Sequence, residues 1–400
     1  MTDGVCGDAQ LAELLARWDI YDPESEAHRI DLLRYARQHS PVPWTDGAGG
    51  FFLVTRYEDV QRVVLDWETF SSTEGLPTPM PLRICPIDAD PPLQTALRNI
   101  LNPLFSRGHL MRYVPQMEKL AAELVDKWAD SGECELIADF AADYVGTILM
   151  EIVMGDMEPE ARQRASDAVL GASHAGTPEN FFTLVMTSAE RLAAAEADPE
   201  NAPDVLKAVI NAEVEENGER RPLSEEERLG VLNILFLGGL DTTRAAITMM
   251  ALEICADPSL EQRVRNPDWV KHDLDEFLRM GTPVGTFGRV ATRDVELNGT
   301  LIKKGQRLLV RYDSANRDES RFPDPDKLVF DPPRPSNAAF SLGIHRCLGS
   351  NLARLQIPIA WEAIYRRVTN LRLTCDPREL VWEPGLSNGP RTVPLAFDKV

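Results

Sequence analysis

Apolar residues recur every three or four positions over several stretches of the chain. Met117, Leu124 and Trp128 follow this spacing, and it continues with a higher apolar content over 136–154. Residues three or four apart lie on one face of an α-helix, so the pattern is typical of helices packed against a core. The sequence therefore predicts an amphipathic helix over 117–128 and a more buried helix over 136–154.

A longer helix is predicted near the middle of the chain. Ser224 and Glu227 match a capping box, in which the hydroxyl accepts a bond from the Glu227 amide and the carboxylate reaches back to the Ser224 amide. The apolar pattern then runs over 229–255. Glycines at 238–239 interrupt it, and each glycine inside a helix costs roughly 0.5–1 kcal/mol. Two interpretations follow: one continuous helix, or a helix that ends at the glycines and a second helix capped by Asp241.

Short β-rich segments and turn residues occupy much of the remaining sequence. Asn298 and Gly299 separate two such segments, at 295–297 and 300–302, and supply the positive φ angles of a two-residue hairpin turn. Further strands are predicted at 51–57, 307–312, 371–374 and 393–397, a last helix at 352–368, and loops at 213–221 and 322–335. The sequence therefore predicts a mainly α fold with a minor β region.

Composition and charge narrow the function classes. The chain has 400 residues, 44% hydrophobic and 26% charged, which excludes a disordered or coiled-coil protein. Its formal net charge of −21 disfavours binding to nucleic acid or to an anionic membrane surface. We find no signal peptide and no apolar stretch of about 20 residues, so we expect no membrane anchor. The six cysteines are scattered, which indicates reduced thiols and a cytoplasmic protein.

The segment from Phe340 to Gly349 carries the clearest chemistry. Cys347 lies just before the helix predicted over 352–368, where the helix dipole and free amides favour a thiolate. Gly343 and Gly349 allow the backbone to approach the sulfur or a flat ligand. A lone cysteine is more often a small buried apolar residue. The residue types around this one instead favour a ligand role.

The segment reads F-x-x-G-x-H-x-C-x-G, which resembles the haem-binding signature of the cytochrome P450 family, the haem-thiolate monooxygenases. The resemblance implies that Cys347 is the axial thiolate ligand of haem b, iron protoporphyrin IX, and favours O–O cleavage. It also implies that His345 contacts a haem propionate, that Phe340 packs beside the sulfur, and that Gly349 lies close to the haem.

The same resemblance implies three structural residues. Glu276 and Arg279 match the family's E-x-x-R motif, which lies on a helix before the sheet, and Arg334 lies in the loop before the cysteine. Taken alone, Glu276 and Arg279 would be an ordinary surface ion pair, since they lie three residues apart. In the family, the three residues hold the cysteine loop and do not touch the substrate.

The run GGLDTT at 238–243 resembles the oxygen-binding groove of the family, where the long helix is distorted over the haem. Gly238 and Gly239 would leave room for dioxygen. Thr242 would hydrogen-bond dioxygen and a proton-carrying water, and Asp241 would feed protons in, because the distal oxygen is protonated twice before it leaves as water. The resemblance thus implies that Asp241 and Thr242 are the catalytic residues.

Two arginines and a glutamine match positions that bind the haem propionates. The segment DPPLQTALR at 90–98 resembles the D-P-P-x-H-x-x-x-R opening of a family helix, which implies that Arg98 binds a propionate. Gln94 replaces the usual His, and its amide could still donate to a propionate. Arg289 matches a second propionate-binding arginine. Taken singly, each arginine would be a solvated surface charge.

The resemblance covers most of the chain and implies a single haem-binding domain over residues 1–400, with the triangular cytochrome P450 fold. The substrate pocket would lie above the haem. Its candidate residues are mainly apolar, which favours a small-to-medium hydrophobic organic substrate. By position, they are Leu76, Met80, Phe181, Phe182, Ile234, Leu237, Val284, Thr286, Phe287 and Leu386.

The function implied is insertion of one oxygen atom from O₂ into such a substrate, by hydroxylation or epoxidation. The haem domain occupies the whole length, so we expect electrons from NAD(P)H through a separate ferredoxin or flavodoxin and its reductase. We expect a monomer with no nucleic-acid or membrane partner. Two alternatives remain: a haem-thiolate peroxygenase or isomerase that needs no electrons, and a haem sensor without turnover. Candidates for a basic docking face are Arg98, Arg107, Arg112, Arg346 and Arg354.

Overall fold

The architecture is that of a computed structural model, which describes residues 7–73, 82–155, 158–174, 178–216, 218–382 and 384–400. The α-helices are α1 (Asp8–Ala16), α2 (Pro23–Ala27), α3 (Arg29–His39), α4 (Tyr57–Leu65), α5 (Leu93–Leu101), α6 (Arg107–Leu110), α7 (Val114–Trp128), α8 (Ala142–Met154), α9 (Pro159–His174), α10 (Pro178–Ala197), α11 (Asp204–Ile210), α12 (Glu225–Ala256), α13 (Leu260–Arg265), α14 (Trp269–His272), α15 (Leu274–Gly281), α16 (Tyr312–Ala315) and α17 (Ser350–Arg367).

Strands are fewer and shorter than helices. They are β1 (Trp44–Thr45), β2 (Phe51–Val54), β3 (Phe70–Ser71), β4 (Glu133–Glu135), β5 (Glu213–Glu216), β6 (Glu219–Pro222), β7 (Thr286–Ala291), β8 (Val295–Leu297), β9 (Thr300–Ile302), β10 (Arg307–Arg311), β11 (Val368–Leu373) and β12 (Pro394–Lys399). The mainly α fold with a minor β region is therefore confirmed.

The long central helix is continuous. α12 runs through both glycines, so the alternative in which Asp241 caps a second helix is wrong. Its capping box forms as predicted: the Ser224 amide donates to Glu227 Oε2 at 2.8 Å, and the Glu227 amide donates to Ser224 Oγ at 3.1 Å. The helices predicted over 117–128 and 352–368 correspond to α7 and α17. The segment predicted over 136–154 begins with a π-helical turn before α8.

The strand predictions have one clear error. The hairpin β8–β9 forms around Asn298 and Gly299, which have φ angles of 48° and 75°. The loop predicted over 213–221, however, is the antiparallel hairpin β5–β6. The missed signal is the Asn-Gly pair at 217–218, which favours a hairpin turn, and Gly218 has a φ of 83°.

Two sheets lie beside the helical core. The larger has the order β1-β2-β10-β7-β3, with β10 parallel to β2 and antiparallel to β7. The second has the order β11-β12-β4 and is antiparallel. Over the ranges that the structure describes, no helix is long and apolar enough to cross a membrane.

α12 lies at the centre of the helical core. It packs against α8, α9, α10, α15 and α17. A helix that is apolar on all sides is stable only when it is buried on all sides, and most of α12 is buried. Gly238 is an exception, because it is exposed near the middle of this helix. The exposure marks an internal cavity, which contains the site described below.

A buried ionic network ties the N-terminal helices to the larger sheet. Asp313 accepts hydrogen bonds from Arg29 at 2.7 Å and from Arg311 at 2.6 and 3.0 Å, and its carboxylate is 3% exposed. Burial alone would raise the pKa of Asp313, but the charges of Arg311 and Arg29 outweigh it and hold the pKa below its usual value. Removing one partner of such a group leaves an uncompensated buried charge.

We predict that Asp313→Asn lowers the free energy of unfolding by about 3–5 kcal/mol at neutral pH. Because the folded pKa is lowered, the contribution of this carboxylate is complete above the unfolded pKa of about 4 and is lost as the pH falls below it. Urea unfolding from pH 3 to 8 measures this. The matched control is Asp31→Asn, which breaks an exposed pair with Arg34 and should change the free energy by less than about 1 kcal/mol. Equal effects of the two variants would contradict the prediction.

Candidate active site

A cavity separates α12 from α17 and from the loop that precedes α17. Gly238, Thr242 and Ala246 lie four residues apart along α12 and form one wall. Cys347 and Leu352 belong to the opposite side. Further lining residues come from the segment at 86–87, from α5, α8, α15, α16 and β7, and from loops that include 283–284 and the residues just before Cys347. The cavity therefore brings together most of the motifs that are distant in sequence.

The loop before Cys347 is held in an unusual backbone conformation. The Cys347 amide donates to the carbonyl of Phe340 at 2.9 Å, which closes the loop. Gly343 has a φ of 67°, and a Cβ atom there would lie 2.8 Å from the carbonyl oxygen of Val64. Only glycine fits this position without moving α4. The Phe340 ring lines the cavity, and the Arg354 guanidinium lies 5.2 Å from its centre.

The Cys347 sulfur faces the cavity at the start of α17. Burial raises the pKa of the Cys347 thiol, and this outweighs the opposing effect of hydrogen bonds from the Gly349 and Ser350 amides and of the charges on Arg98 and Arg346. A metal that binds the sulfur displaces the proton outright.

Glu276, Arg279 and Arg334 form a buried network behind this loop. The Glu276 carboxylate accepts from Arg279 at 2.8 Å, from Arg334 at 3.0 Å and from the Val329 amide at 2.8 Å. Arg279, whose side chain is 0% exposed, also donates to the carbonyl of Asn316 at 2.8 Å. The three residues named from the sequence thus lie together, and none of them lines the cavity.

Three side chains with positive charge or proton-donor capacity lie at one edge of the cavity. Arg98, Arg289 and His345 all line it. No carboxylate within the described ranges pairs with Arg98 or Arg289. Burial lowers the pKa of His345 to about 3, and the charges of Arg289 and Arg98 add to the effect. His345 Nε2 lies 2.9 Å from Ser72 Oγ.

Gln94 does not belong to this edge. Its side chain is buried, and its Nε2 donates to the carbonyl of Ile344 at 2.7 Å. Its Oε1 accepts from Thr95 Oγ1 at 3.2 Å. Gln94 does not line the cavity, and its Nε2 donates to the backbone next to His345, so the structure does not bring it together with Arg98 and Arg289. Gln94 therefore positions the cysteine loop.

The α12 wall combines small residues with a hydroxyl. A Cβ atom at Gly238 would meet nothing within 4 Å, whereas one at Gly239 would lie 2.6 Å from a Leu149 methyl carbon. Thr242 Oγ1 donates to the Gly238 carbonyl at 2.7 Å. Asp241 does not line the cavity: it is 1% exposed and accepts from Arg244 Nε at 3.0 Å.

Three of the ten predicted pocket residues line the cavity: Ile234, Val284 and Phe287. Thr286 points the other way, because alternate residues of a strand face opposite sides, and its hydroxyl donates to the Val310 carbonyl at 3.0 Å.

Of the other six candidates, four lie elsewhere and two fall outside the described residues. Leu237 packs against the helical core, since it is turned about 100° from Gly238. Leu386 packs against the cluster that contains Trp18. On α10, Phe181 is buried away from the cavity and Phe182 is 65% exposed. These predictions are wrong for the structure, because position along the chain does not give the direction of a side chain. Leu76 and Met80 lie outside the described residues.

Several lining residues escaped the sequence analysis. Pro86 and Ile87 form part of the wall next to α12, and Leu149 reaches the cavity from α8. Tyr312 and Ser341 also line it, with their hydroxyl oxygens 2.9 Å apart. None of them is a fixed residue of a motif, and Ser341 only occupies a variable position of the cysteine segment, so no sequence signal identifies them. They reach the cavity only through the packing of segments that are distant in sequence.

The residues present fit a haem. The cysteine offers one metal ligand, and the opposite wall at Gly238 is open and small. At the edge, Arg98 and Arg289 are half-buried and buried, respectively, without a protein carboxylate in the described part of the chain. Buried charges are normally paired, so this edge suits a ligand that brings its own carboxylates, as protoporphyrin does.

Comparisons with known proteins agree with this site. The sequence model of the family described as Cytochrome P450 matches residues 270–385. The steroid C26-monooxygenase of Mycolicibacterium smegmatis is 29% identical over 92% of this chain and 92% of its own length. A Bacillus subtilis protein named as a cytochrome P450, YjiB, is 31% identical over 84% of this chain and 86% of its own length.

A solved structure supports the same assignment. Cytochrome P450 CYP109Q5 from Chondromyces apiculatus superposes with a TM-score of 0.82 at 27% identity, covering 96% of this chain and 99% of that one. The fold, the cysteine loop and the relatives thus agree. The chain belongs to the cytochrome P450 family of haem-thiolate monooxygenases.

Proposed function

We propose that the chain inserts one atom of O₂ into a neutral, hydrophobic organic substrate, by hydroxylation or epoxidation, and that residues 1–400 act as one haem-binding domain. The observation that carries the proposal is that Thr242 and Cys347 line the same cavity. A hydroxyl on one wall and a sulfur ligand on the other are the two protein groups that this chemistry needs. The lining between them is mainly apolar.

Different residues around the cavity would hold different parts of the cofactor. Cys347 would ligate the iron, and Arg98, Arg289 and His345 would hold the propionates. When bound, the haem supplies the binding and reductive activation of O₂. Two side chains hold the cysteine loop and the segment before it in place: Gln94 donates to the Ile344 carbonyl, and Glu276 accepts from the Val329 amide.

Thr242 is suited to hold a water molecule in the cavity. Its hydroxyl proton is engaged by the Gly238 carbonyl, so its oxygen is left as an acceptor. A water that donates to this oxygen lies next to the open space at Gly238, where a proton is needed. Thr242 thus positions a proton carrier and does not itself give up the proton.

Asp241 supplies protons to that water only after a side-chain movement. Successive helical residues are about 100° apart, so Asp241 lies beside Thr242 while Arg244 lies on the far side of α12. The ion pair with Arg244 holds the Asp241 carboxylate away from the cavity. Rotation away from Arg244 brings the carboxylate toward Thr242. We therefore treat Arg244 as a positioning residue for Asp241.

The cavity wall supports a neutral, apolar substrate. Ile87, Ile234, Val284 and Phe287 contribute only hydrocarbon. The charged residues that line its described part lie at the propionate edge, where the haem's own carboxylates would use them. Steroids are the first substrates to test, because their rigid hydrocarbon skeletons suit such a wall and because one relative is named as a steroid C26-monooxygenase.

Electrons come, in this proposal, from NAD(P)H through a reductase and a ferredoxin or flavodoxin. Arg107 and Arg346 are exposed near the cysteine loop, and no carboxylate in the described ranges pairs with them. Arg112 bonds Asp204, Arg354 bonds Asp275, and Arg98 faces the cavity. The docking cations are thus reduced from five candidates to Arg107 and Arg346, which suit an acidic carrier.

Reconstitution tests the proposed function. The haem-loaded protein, a bacterial ferredoxin, its reductase and NADPH are incubated with ¹⁸O₂ and with sterols selected by a low-to-high-spin Soret change. We expect a product that carries one ¹⁸O atom and requires all components. Turnover with peroxide alone, without NADPH-driven product, would support the peroxygenase alternative. Spectral binding with no product under either condition would support the sensor.

Thr242→Ala should separate electron use from product formation. Without the hydroxyl, the water is not held where a proton is needed, and electrons from NADPH would be diverted to hydrogen peroxide. We expect product per NADPH to fall at least about tenfold while NADPH consumption changes less than about twofold. The matched control is Thr248→Ala, a buried threonine of the same helix that does not line the cavity. Full coupling in Thr242→Ala would contradict the role assigned to this hydroxyl.

A further inference from the structure

Gly230 lies in α12 where another segment of the chain crosses it. A Cβ atom at Gly230 would lie 2.2 Å from the carbonyl oxygen of Arg83, 3.2 Å from its carbonyl carbon and 3.3 Å from the Cys85 amide nitrogen. All three atoms belong to the backbone, so no side chain can rotate away to make room. The helix and the segment touch here because residue 230 has no side chain.

The crossing segment is a compact turn, the 83–88 turn. The Ile84 amide donates to Asp88 Oδ2 at 2.8 Å, and the Ile87 amide donates to the Ile84 carbonyl at 3.1 Å. The Arg83 guanidinium donates to the Asp88 carbonyl at 3.0 Å. These internal bonds make the turn one unit, so a shift at Arg83 is transmitted to Ile87.

The 83–88 turn forms part of the cavity wall. Pro86 and Ile87 line the cavity, and so do Ile234 and Leu235, which lie one helical turn after Gly230. The contact at Gly230 therefore lies directly behind the place where the turn and α12 together enclose the cavity. The distance between turn and helix sets the width available to a substrate.

We propose that Gly230 is a specificity-determining residue: its missing side chain sets how closely Pro86 and Ile87 approach the substrate. The inference rests on the proposed function, since it concerns the substrate of the same cavity. A methyl group at residue 230 forces the 83–88 turn outward by roughly 1 Å, from 2.2 Å to an ordinary contact near 3.4 Å. Gly230 itself touches no substrate and acts only through this turn.

The test compares two ligands that bind haem iron, imidazole and the bulkier 4-phenylimidazole, in Gly230→Ala and in the wild type. Imidazole needs little space, so its affinity should change less than about twofold. Because the displaced turn widens the cavity, the affinity for 4-phenylimidazole should rise by about tenfold, which is the lower range for one methylene of pocket space. Both dissociation constants come from the Soret shift of the ligand complex. An unchanged ratio of the two constants in folded Gly230→Ala would overturn the inference.

Gly146→Ala is the matched control. Gly146 is a buried helical glycine of α8 that faces α12, but its Cβ atom would meet only a flexible Leu240 methyl at 3.2 Å. We expect it to alter the melting temperature and to leave the ligand ratio unchanged. If Gly146→Ala changed the ratio of the two dissociation constants as much as Gly230→Ala does, the inference would also be overturned. Any methyl group added to a buried helix would then be enough to change ligand selectivity.

A second measurement covers the case in which Gly230→Ala does not fold. Hydrogen exchange of the wild-type holoenzyme should show the Ile84 and Ile87 amides protected without ligand, since the turn is seated on α12. Rapid exchange of both would overturn the inference. Failure of the proposed function gives a different result. Without a haem site, imidazole gives no Soret shift. A normal shift with an unchanged ratio of the two dissociation constants would contradict only the role of Gly230.

Discussion

The structure depends on one buried carboxylate. Glu276 accepts hydrogen bonds from two arginines and a backbone amide, and Arg279 in turn donates to three backbone carbonyls in the segment before the cysteine. That segment, from 316 to 340, has no helix or strand to satisfy its backbone. Burying these charges is unfavourable unless every donor and acceptor is used. Here the network uses them, and it gives an irregular loop a single conformation.

The cavity has two different walls, and the loop fixed by Glu276 forms one of them. On one side the backbone turns at Gly343 and presents Cys347 at the start of α17. On the other side α12 is long enough to cross the whole core, and glycines adapt it to its neighbours. Gly238 leaves open space, Gly239 admits Leu149, and Gly230 admits the 83–88 turn. The same residue type thus serves three different ends along one helix.

Sequence motifs predicted the parts of the site that local chemistry determines. Cys347 and Thr242 line one cavity, and the E-x-x-R pair lies behind the cysteine loop, whereas Asp241 faces Arg244. The capping box and the apolar pattern predicted where α12 begins and how far it extends, but its continuity through the two glycines was settled only by the structure. These features depend on residues close together in sequence, or on residue types that few other structures require.

Other features depend on packing between distant segments and could not be predicted from the sequence. Gln94 bonds the Ile344 carbonyl because α5 and the cysteine loop meet in space. Leu386 joins the Trp18 cluster, and Phe182 faces solvent, although both were predicted to line the substrate pocket. Arg98 and Arg354 look alike in sequence, yet one faces the cavity and the other pairs with Asp275. Tertiary contacts determine the direction of a side chain, and the periodicity of apolar residues in the sequence carries no information about these contacts.

We infer that the loop held by Glu276 presents Cys347 as the thiolate ligand of a haem. The reduced, CO-bound absorption spectrum of the purified protein tests it most directly. We predict a strongly red-shifted Soret band in the wild type and in Cys255→Ala, and its loss in Cys347→Ala. An unshifted band in the wild type, or a red-shifted band that persists in Cys347→Ala, would contradict the account.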